Sequence, residues 1–121
     1  MIYQFEIKEK LPSLNEYTKA CRSNKFLGAK MKEDVEISIW GYIKEQLGNT
    51  KITEPVQISF TWVEDNKKRD LDNICFAKKF ILDALVKSNV LQNDTHKYVT
   101  GFSDEFKYED KPKVIIKIKE I

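Results

Sequence analysis

The sequence predicts an α+β domain: a mixed sheet of about four strands with helices packed on one face, in the order β-α-α-β-α-β-β. Three observations carry this. Four segments read as strands, two others repeat apolar residues at helical spacing, and a capping-box pair marks a further short helix or turn. At 121 residues the chain is long enough for one core and one domain, residues 1–121, and not for two.

Residues 1–8 set Tyr3, Phe5 and Ile7 on one side and Gln4, Glu6 and Lys8 on the other, the pattern of a half-buried strand. In "LPSLNE", Ser13 and Glu16 stand at capping-box spacing, so a short helix or turn begins at Leu14. The pattern weakens around "RSNKFLGAK", which reads as a mobile basic loop. A second helix follows: Met31, Val35, Ile39, Ile43 and Leu47 recur every four residues, Trp40 widens the stripe, and Gly48-Asn49 supply a stop. After Pro55, "VQISFTWV" turns Val56, Ile58, Phe60 and Trp62 inward as a second strand. Over residues 71–88 helical spacing returns, with Ile74, Ala77, Ile81, Ala84 and Leu85 on one face and Phe80 beside it. "KYVTGFSDEFKY" reads as a strand broken near Gly101 and Ser103. "KPKVIIKIKEI" closes the chain as a strand with Val114, Ile116 and Ile118 on one face, and the simplest joining of this last pair is a hairpin around "EDKPK". The tryptophans and Phe60, at strand or helix spacing, are read as core.

Composition narrows the function classes. With 41% hydrophobic and 33% charged residues, and only 4 Gly and 3 Pro, the chain is neither disordered nor linker-rich. No apolar run reaches membrane-spanning length, and "MIYQFEIKEK" lacks a secretory apolar core, so the expectation is a cytoplasmic protein with no membrane partner. Cys21, Cys75 and the sole histidine, His96, are too few and too scattered for a zinc site, a disulfide framework or a Ser/His or Cys/His pair. The formal net charge of +2 says little, but its distribution says more. Residues 17–32 contain no acid, while Lys19, Arg22, Lys25, Lys30 and Lys32 are basic and interleaved with Tyr17 and Phe26. Such a stretch is a footprint for phosphate or a solvated face balanced by the acids that follow.

The densest charge lies in "KKRDLDN", where Lys67, Lys68 and Arg69 abut Asp70 and Asp72, just before the third helix. While the chain is extended, both carboxylates point one way and Leu71 the other. Once a helix has begun they diverge, so convergence requires the helix to start at or after Asp72. Asn73 suits a helix end. A third carboxylate, Asp94 in "QNDTH", lies past the far end of that helix. A helix of about 17 residues is roughly 25 Å long, so Asp94 returns either along the following strand or from a neighbouring subunit. Three carboxylates suit Mg²⁺ or Mn²⁺. Aspartates at a helix N-terminus also serve simply as caps.

Three marks stand together: Arg69-Asp70-Leu71-Asp72-Asn73, then Asp83-Ala84-Leu85, then Asn93-Asp94 after the apolar pair Val90-Leu91. With "LPSLNEY", which places Asn15, they resemble the RusA family of crossover-junction endodeoxyribonucleases, often carried by phages and prophages. The likeness is specific over residues 67–94. It implies a small α+β homodimer that binds branched DNA, the four-way or Holliday junction of recombination and repair, and hydrolyses one phosphodiester in each of two strands. It implies Mg²⁺, with Mn²⁺ as a substitute, on Asp70, Asp72 and Asp94. The catalytic lysine becomes Lys79 by counting back from Asp83, with Lys78 the other candidate. Lys67, Lys68 and Arg69 would hold phosphates, and Asn15, Lys19, Arg22, Lys25, Asn73 and Lys78 complete the expected DNA-binding set. Two departures stand out: Asn93 replaces the first of two adjacent acids, and the span from Asn73 to Asp83 is about one helical turn longer than in the best-known members. The competing readings are a DNA-binding module that no longer cuts and a structural domain whose DLDN caps a helix.

Overall fold

The structure, a computed structural model, describes residues 1–121. Its elements run β1 (Ile2–Ile7), α1 (Leu14–Ser23), α2 (Lys25–Leu47), β2 (Val56–Glu64), α3 (Leu71–Cys75), α4 (Lys78–Lys87), β3 (Val99–Tyr108) and β4 (Lys113–Glu120). The strands form one mixed sheet in the order β1-β4-β2-β3, with β2 and β3 parallel and the other neighbours antiparallel. The α+β class, the element order and the four strands are those the periodicities predict. No helix is long and apolar enough to cross a membrane.

Alternation places the core. Phe5 and Ile7 of β1, Ile58, Phe60 and Trp62 of β2, and Val114, Ile116 and Ile118 of β4 are buried against Ile39 and Ile43 of α2 and Phe80, Ile81 and Leu85 of α4. Each such aliphatic side chain withdrawn from water is worth about 1.5–3 kcal/mol. On the opposite face, Ser59, Ser103, Glu105 and Lys107 stay exposed.

The last two strands do not form the expected hairpin. β4 inserts between β1 and β2, and β2 separates it from β3. The link has only residues 109–112, but crossing one strand requires roughly 10 Å between strand axes. Four residues can reach about 13 Å, and the Glu109 amide donates to the Glu64 carbonyl (2.9 Å) as the chain passes over the end of β2. Burial explains the order: β2 and β4 carry the most apolar inward faces and take the middle, whereas β3, with only Val99 buried, takes an edge. Nor is β3 broken near Gly101 and Ser103. It runs unbroken over ten residues, and the only register shift leaves Thr100 as the extra residue opposite Val56 and Gln57.

The helices bring further corrections. The capping box forms as expected: the Ser13 hydroxyl accepts from the Glu16 amide, and Glu16 accepts from the Ser13 amide. The predicted basic loop, however, is a single residue. Asn24 ends α1 and caps α2, its side chain accepting from the Phe26 amide (2.8 Å). Lys, Leu and Ala in "KFLGAK" are good helix formers, and the weak apolar pattern there reflects exposure, not irregular backbone. Trp40 is 45% exposed, with the Lys44 ammonium 5.6 Å from its ring centre, because the face of α2 that meets the core is the one bearing Ile39 and Ile43. The expected single helix over residues 71–88 is two helices. Around Phe76-Ala77 the bonding tightens to i→i+3, with Ala77 donating to Ile74, Lys79 to Phe76 and Phe80 to Ala77. Phe76 then stacks on Tyr17 (5.5 Å) and meets Phe80 edge-on (5.3 Å).

The α1–α2 corner is tight because Gly28 faces Cys21. A Cβ at position 28 would lie 3.2 Å from the Cys21 Cα and overlap its Sγ, whereas one at Gly41 would meet nothing within 4 Å. Gly28→Ala is therefore expected to destabilise by about 1–3 kcal/mol through overpacking. Gly41→Ala, in the exposed middle of α2, should stabilise by about 0.5–1 kcal/mol. Urea denaturation of the two variants checks this, and equal effects would mean that the corner tolerates a side chain.

Candidate functional site

The candidate site is built on the loop that leaves β2 and on α3 and α4 behind it. At the end of β2 the Glu64 side chain is only 7% exposed, with one oxygen lacking any hydrogen bond. Lys10 (3.8 Å) and Arg69 (3.9 Å) stand beside it. Burial pushes the Glu64 carboxyl above the ordinary range, and these two cations only partly counter that. Arg69 does more than face Glu64. Its guanidinium donates to the Leu11 carbonyl (2.8 Å) and pairs with Glu16 at the start of α1. The charge run is thus divided. Arg69 is turned inward, while Lys67 and Lys68 are exposed and form no ion pair; the Lys67 ammonium lies 5.1 Å from the centre of the Tyr108 ring. Asn73 is also structural in part, its side chain accepting from the Asn15 amide (3.2 Å) and so tying α3 to α1.

Asp70 is extended (φ −69°, ψ 157°) and precedes the first helical residue, but its side chain caps nothing. The helix begins at Leu71, one residue earlier than convergence of Asp70 and Asp72 by strand geometry requires. Leu71, which that geometry sends into the core, is 50% exposed, because Ile74 and Ala77 anchor this segment instead. Asp72 lies within the first helical turn, its Oδ1 accepting from the Asn73 amide (3.0 Å).

Asp94 returns within the same chain as far as Lys79, near the start of α4. α4 has only 10 residues, about 15 Å. Asn89, in the left-handed region (φ 64°), ends it, and the Val90 and Leu91 amides fold back onto the Leu85 carbonyl. Residues 88–94 can span about 23 Å, which is ample. Asp94 reaches the Lys79 ammonium (3.9 Å), which also donates to Asp83 (3.1 Å). That hydrogen bond, with the nearby carboxylates, holds Lys79 above the ordinary lysine range. Lys78 faces elsewhere: it pairs with Asp104 (2.8 Å) and lies over the rings of Phe60 and Phe102.

Sequence reasoning missed Asp104. Its other oxygen accepts from the Trp62 indole (2.8 Å), so a buried tryptophan orients the carboxylate that holds Lys78. The available signal was an acid sharing a strand face with Phe102 and Phe106. Glu64, and the second role of the capping residue Glu16, were missed for a different reason, since nothing local marks an acid as the partner of a distant arginine. Cys75 is half-buried, and burial raises its thiol. Of the basic stretch, Lys19, Arg22 and Lys25 form no ion pair, whereas Lys30 pairs with Asp34 and Lys32 with Asp83 and Glu36.

The oxygen donors of Asp70, Asp72 and Asp94 are of the type that Mg²⁺ or Mn²⁺ takes. In the single chain no three acidic, thiol or imidazole side chains are already gathered into one group.

Glu64 makes a pH-dependent prediction. Its native pKa lies above the unfolded value, so its stabilising contribution is complete below the ordinary glutamate pKa, about 4.3, and is lost as pH rises through the native value. Glu64→Gln, a mimic of the protonated acid, should match the parent at low pH and exceed it above that window. Urea denaturation at several pH values measures the gap, and a gap independent of pH would contradict the burial argument.

With this geometry in place, comparison with known proteins adds one finding. The family model described as Endodeoxyribonuclease RusA matches residues 4–119. No curated protein matches the chain. The match covers nearly the whole chain, from β1 to β4 and across every aspartate considered above, and the chain belongs to the RusA endodeoxyribonuclease family.

Proposed function

We propose that the protein is a metal-dependent endodeoxyribonuclease that resolves four-way DNA junctions, acting as a homodimer that nicks two strands. Family membership supports the nuclease activity and the branched substrate. The observation that carries the assignment of residues is the return of Asp94 to Lys79, which also pairs with Asp83 and so links the second and third sequence marks. Asp70, Asp72 and Asp94 are the proposed ligands of Mg²⁺ or Mn²⁺. Such an ion, when bound, polarises the phosphoryl group and lowers the pKa of water.

The chain's own residues have separable tasks. Lys79 is the proposed catalytic cation, because it is the lysine beside Asp94. Lys67 and Lys68, without acidic partners, are proposed to neutralise phosphates of the cut strand. Arg69, committed to Leu11, Glu16 and Glu64, serves by positioning the loop that bears Asp70. A dimer suits the substrate, since two-fold symmetry presents two sites to two equivalent strands. A second reading, binding without cutting, draws on Asn93. Its side chain accepts from the Asp94 amide (2.7 Å) and so shapes the turn without supplying a second acid.

Labelled four-way junctions with and without Mg²⁺ test the proposal. The parent should give symmetric nicks only with the ion, and retention of the junction without nicks would establish the second reading. Asp70→Asn should lower single-turnover cutting by roughly 10²-fold or more while keeping or strengthening junction binding, because it removes negative charge facing phosphate. Lys79→Ala should lower the rate more than Lys78→Ala at unchanged affinity. Equal rates for Asp70→Asn and the parent would remove Asp70 from the ligand set, and crystals soaked in Mn²⁺ would identify the oxygens around the ion directly.

A further inference from the structure

The corner between α1 and α2 carries an exposed apolar tip that the fold does not use. Phe26 is 70% exposed and Leu27 50% exposed, at the first turn of α2, away from the exposed Ile37 and Trp40 further along the same helix. The tip is held firmly. A single residue links the helices, the Asn24 side chain caps the Phe26 amide, and Gly28 packs against Cys21. Exposed apolar side chains are common on protein surfaces, so the tip gains meaning only together with the charges that surround it.

The charges around it indicate the partner. Lys19, Arg22 and Lys25 are exposed and form no ion pair, the first turn of α2 has no acid, and the Lys25 ammonium lies 5.4 Å from the centre of the Phe26 ring. Unneutralised cations around a flat apolar ring match a polymer that alternates phosphates with exposed aromatic faces. The tip also has a fixed relation to the site. α1 starts at the Asn15–Asn73 tether and is 10 residues long, about 15 Å. At roughly 3.4 Å per nucleotide, that is about four nucleotides along one strand.

We propose that Phe26 stacks on an unpaired or unstacked base at the branch of a DNA junction, while Lys19, Arg22 and Lys25 hold the flanking phosphates. The partner's identity rests on the proposed function, but the contact is independent of cutting. Binding is therefore measured without Mg²⁺, using a four-way junction with 2-aminopurine at the branch and a linear duplex of matched sequence. The parent should raise the fluorescence as the base unstacks. Phe26→Ala should lose that rise and weaken junction binding by roughly 5- to 150-fold, the range for one base–aromatic stack, with duplex binding little changed. Phe26→Trp should restore the affinity. Replacing Lys19, Arg22 and Lys25 by Ala should flatten the salt dependence by about 0.9 per lost phosphate contact.

Junction affinity and fluorescence unchanged in Phe26→Ala would overturn the proposal. So would dissociation of the protein's oligomer by that variant, which would make the tip an interface between copies. Preference of the parent for vesicles of mixed anionic and neutral phospholipid over the junction would also overturn it, making the tip a lipid contact. Cutting in Mg²⁺ is scored separately. A parent that unstacks the branch through Phe26 yet never cuts refutes the nuclease reading and leaves this contact standing.

Discussion

The inward turn of Arg69 is the constraint from which the rest of the site follows. One guanidinium joins the segment before α1 through Leu11, the first turn of α1 through Glu16, and the end of β2 through Glu64. Burying such charges is costly, and an apolar replacement often matches or exceeds the stability of a buried pair. What the arginine contributes is geometry. Five donors in a rigid fork can hold three separate backbone elements at once, which no aliphatic side chain can do. With Arg69 turned inward, its neighbours Lys67, Lys68, Asp70 and Asp72 in "KKRDLDN" all stay exposed.

The same economy governs the far side of the site. A continuous helix from 71 to 88 would carry the chain about 25 Å away before it could turn. The chain has to come back only as far as Lys79, near the start of α4, and the left-handed Asn89 begins that return. Asp94 then meets Lys79. Two lysines adjacent in sequence thereby acquire different partners, Lys78 with Asp104 on β3 and Lys79 with Asp83 and Asp94. Adjacent helical positions point about 100° apart, so both cannot serve one site.

These outcomes show where the sequence was legible. β1, β2 and β4 announce themselves because one face of each is buried and the other wet, and Ser13 with Glu16 announces α1 because capping is local chemistry. β3 was harder, since an edge strand with few buried residues lacks the alternation that marks the others. Strand order was not legible at all: a four-residue link reads as a hairpin unless the burial of β2 and β4 is weighed against that of β3. The break in the third helix has no Gly or Pro to signal it and depends on aromatic contacts with α1. Of the candidate site, the residue types and the segment were legible, because charge density is visible in one dimension. Which cation turns inward was not, because Arg69's partners lie over fifty residues upstream or across a strand end.

Pairing, more than net charge, sets the field that a polyanion would meet. A formal charge of +2 places the chain among ordinary soluble proteins. Yet the ion pairs are unevenly shared: Lys10, Lys30, Lys32, Lys78, Lys79 and Lys87 are all matched to acids. Lys19, Arg22, Lys25, Lys67 and Lys68, on α1, the start of α2 and the loop after β2, are not. A matched pair contributes a dipole that fades quickly in salt, whereas an unmatched cation keeps its full charge at the surface. The acids that balance these five in the overall sum lie elsewhere along the chain, so the cancellation is arithmetic and not local. α1 and the loop after β2 are two of the segments that leave cations without an acidic partner, and Arg69 bonded to Glu16 fastens those two together.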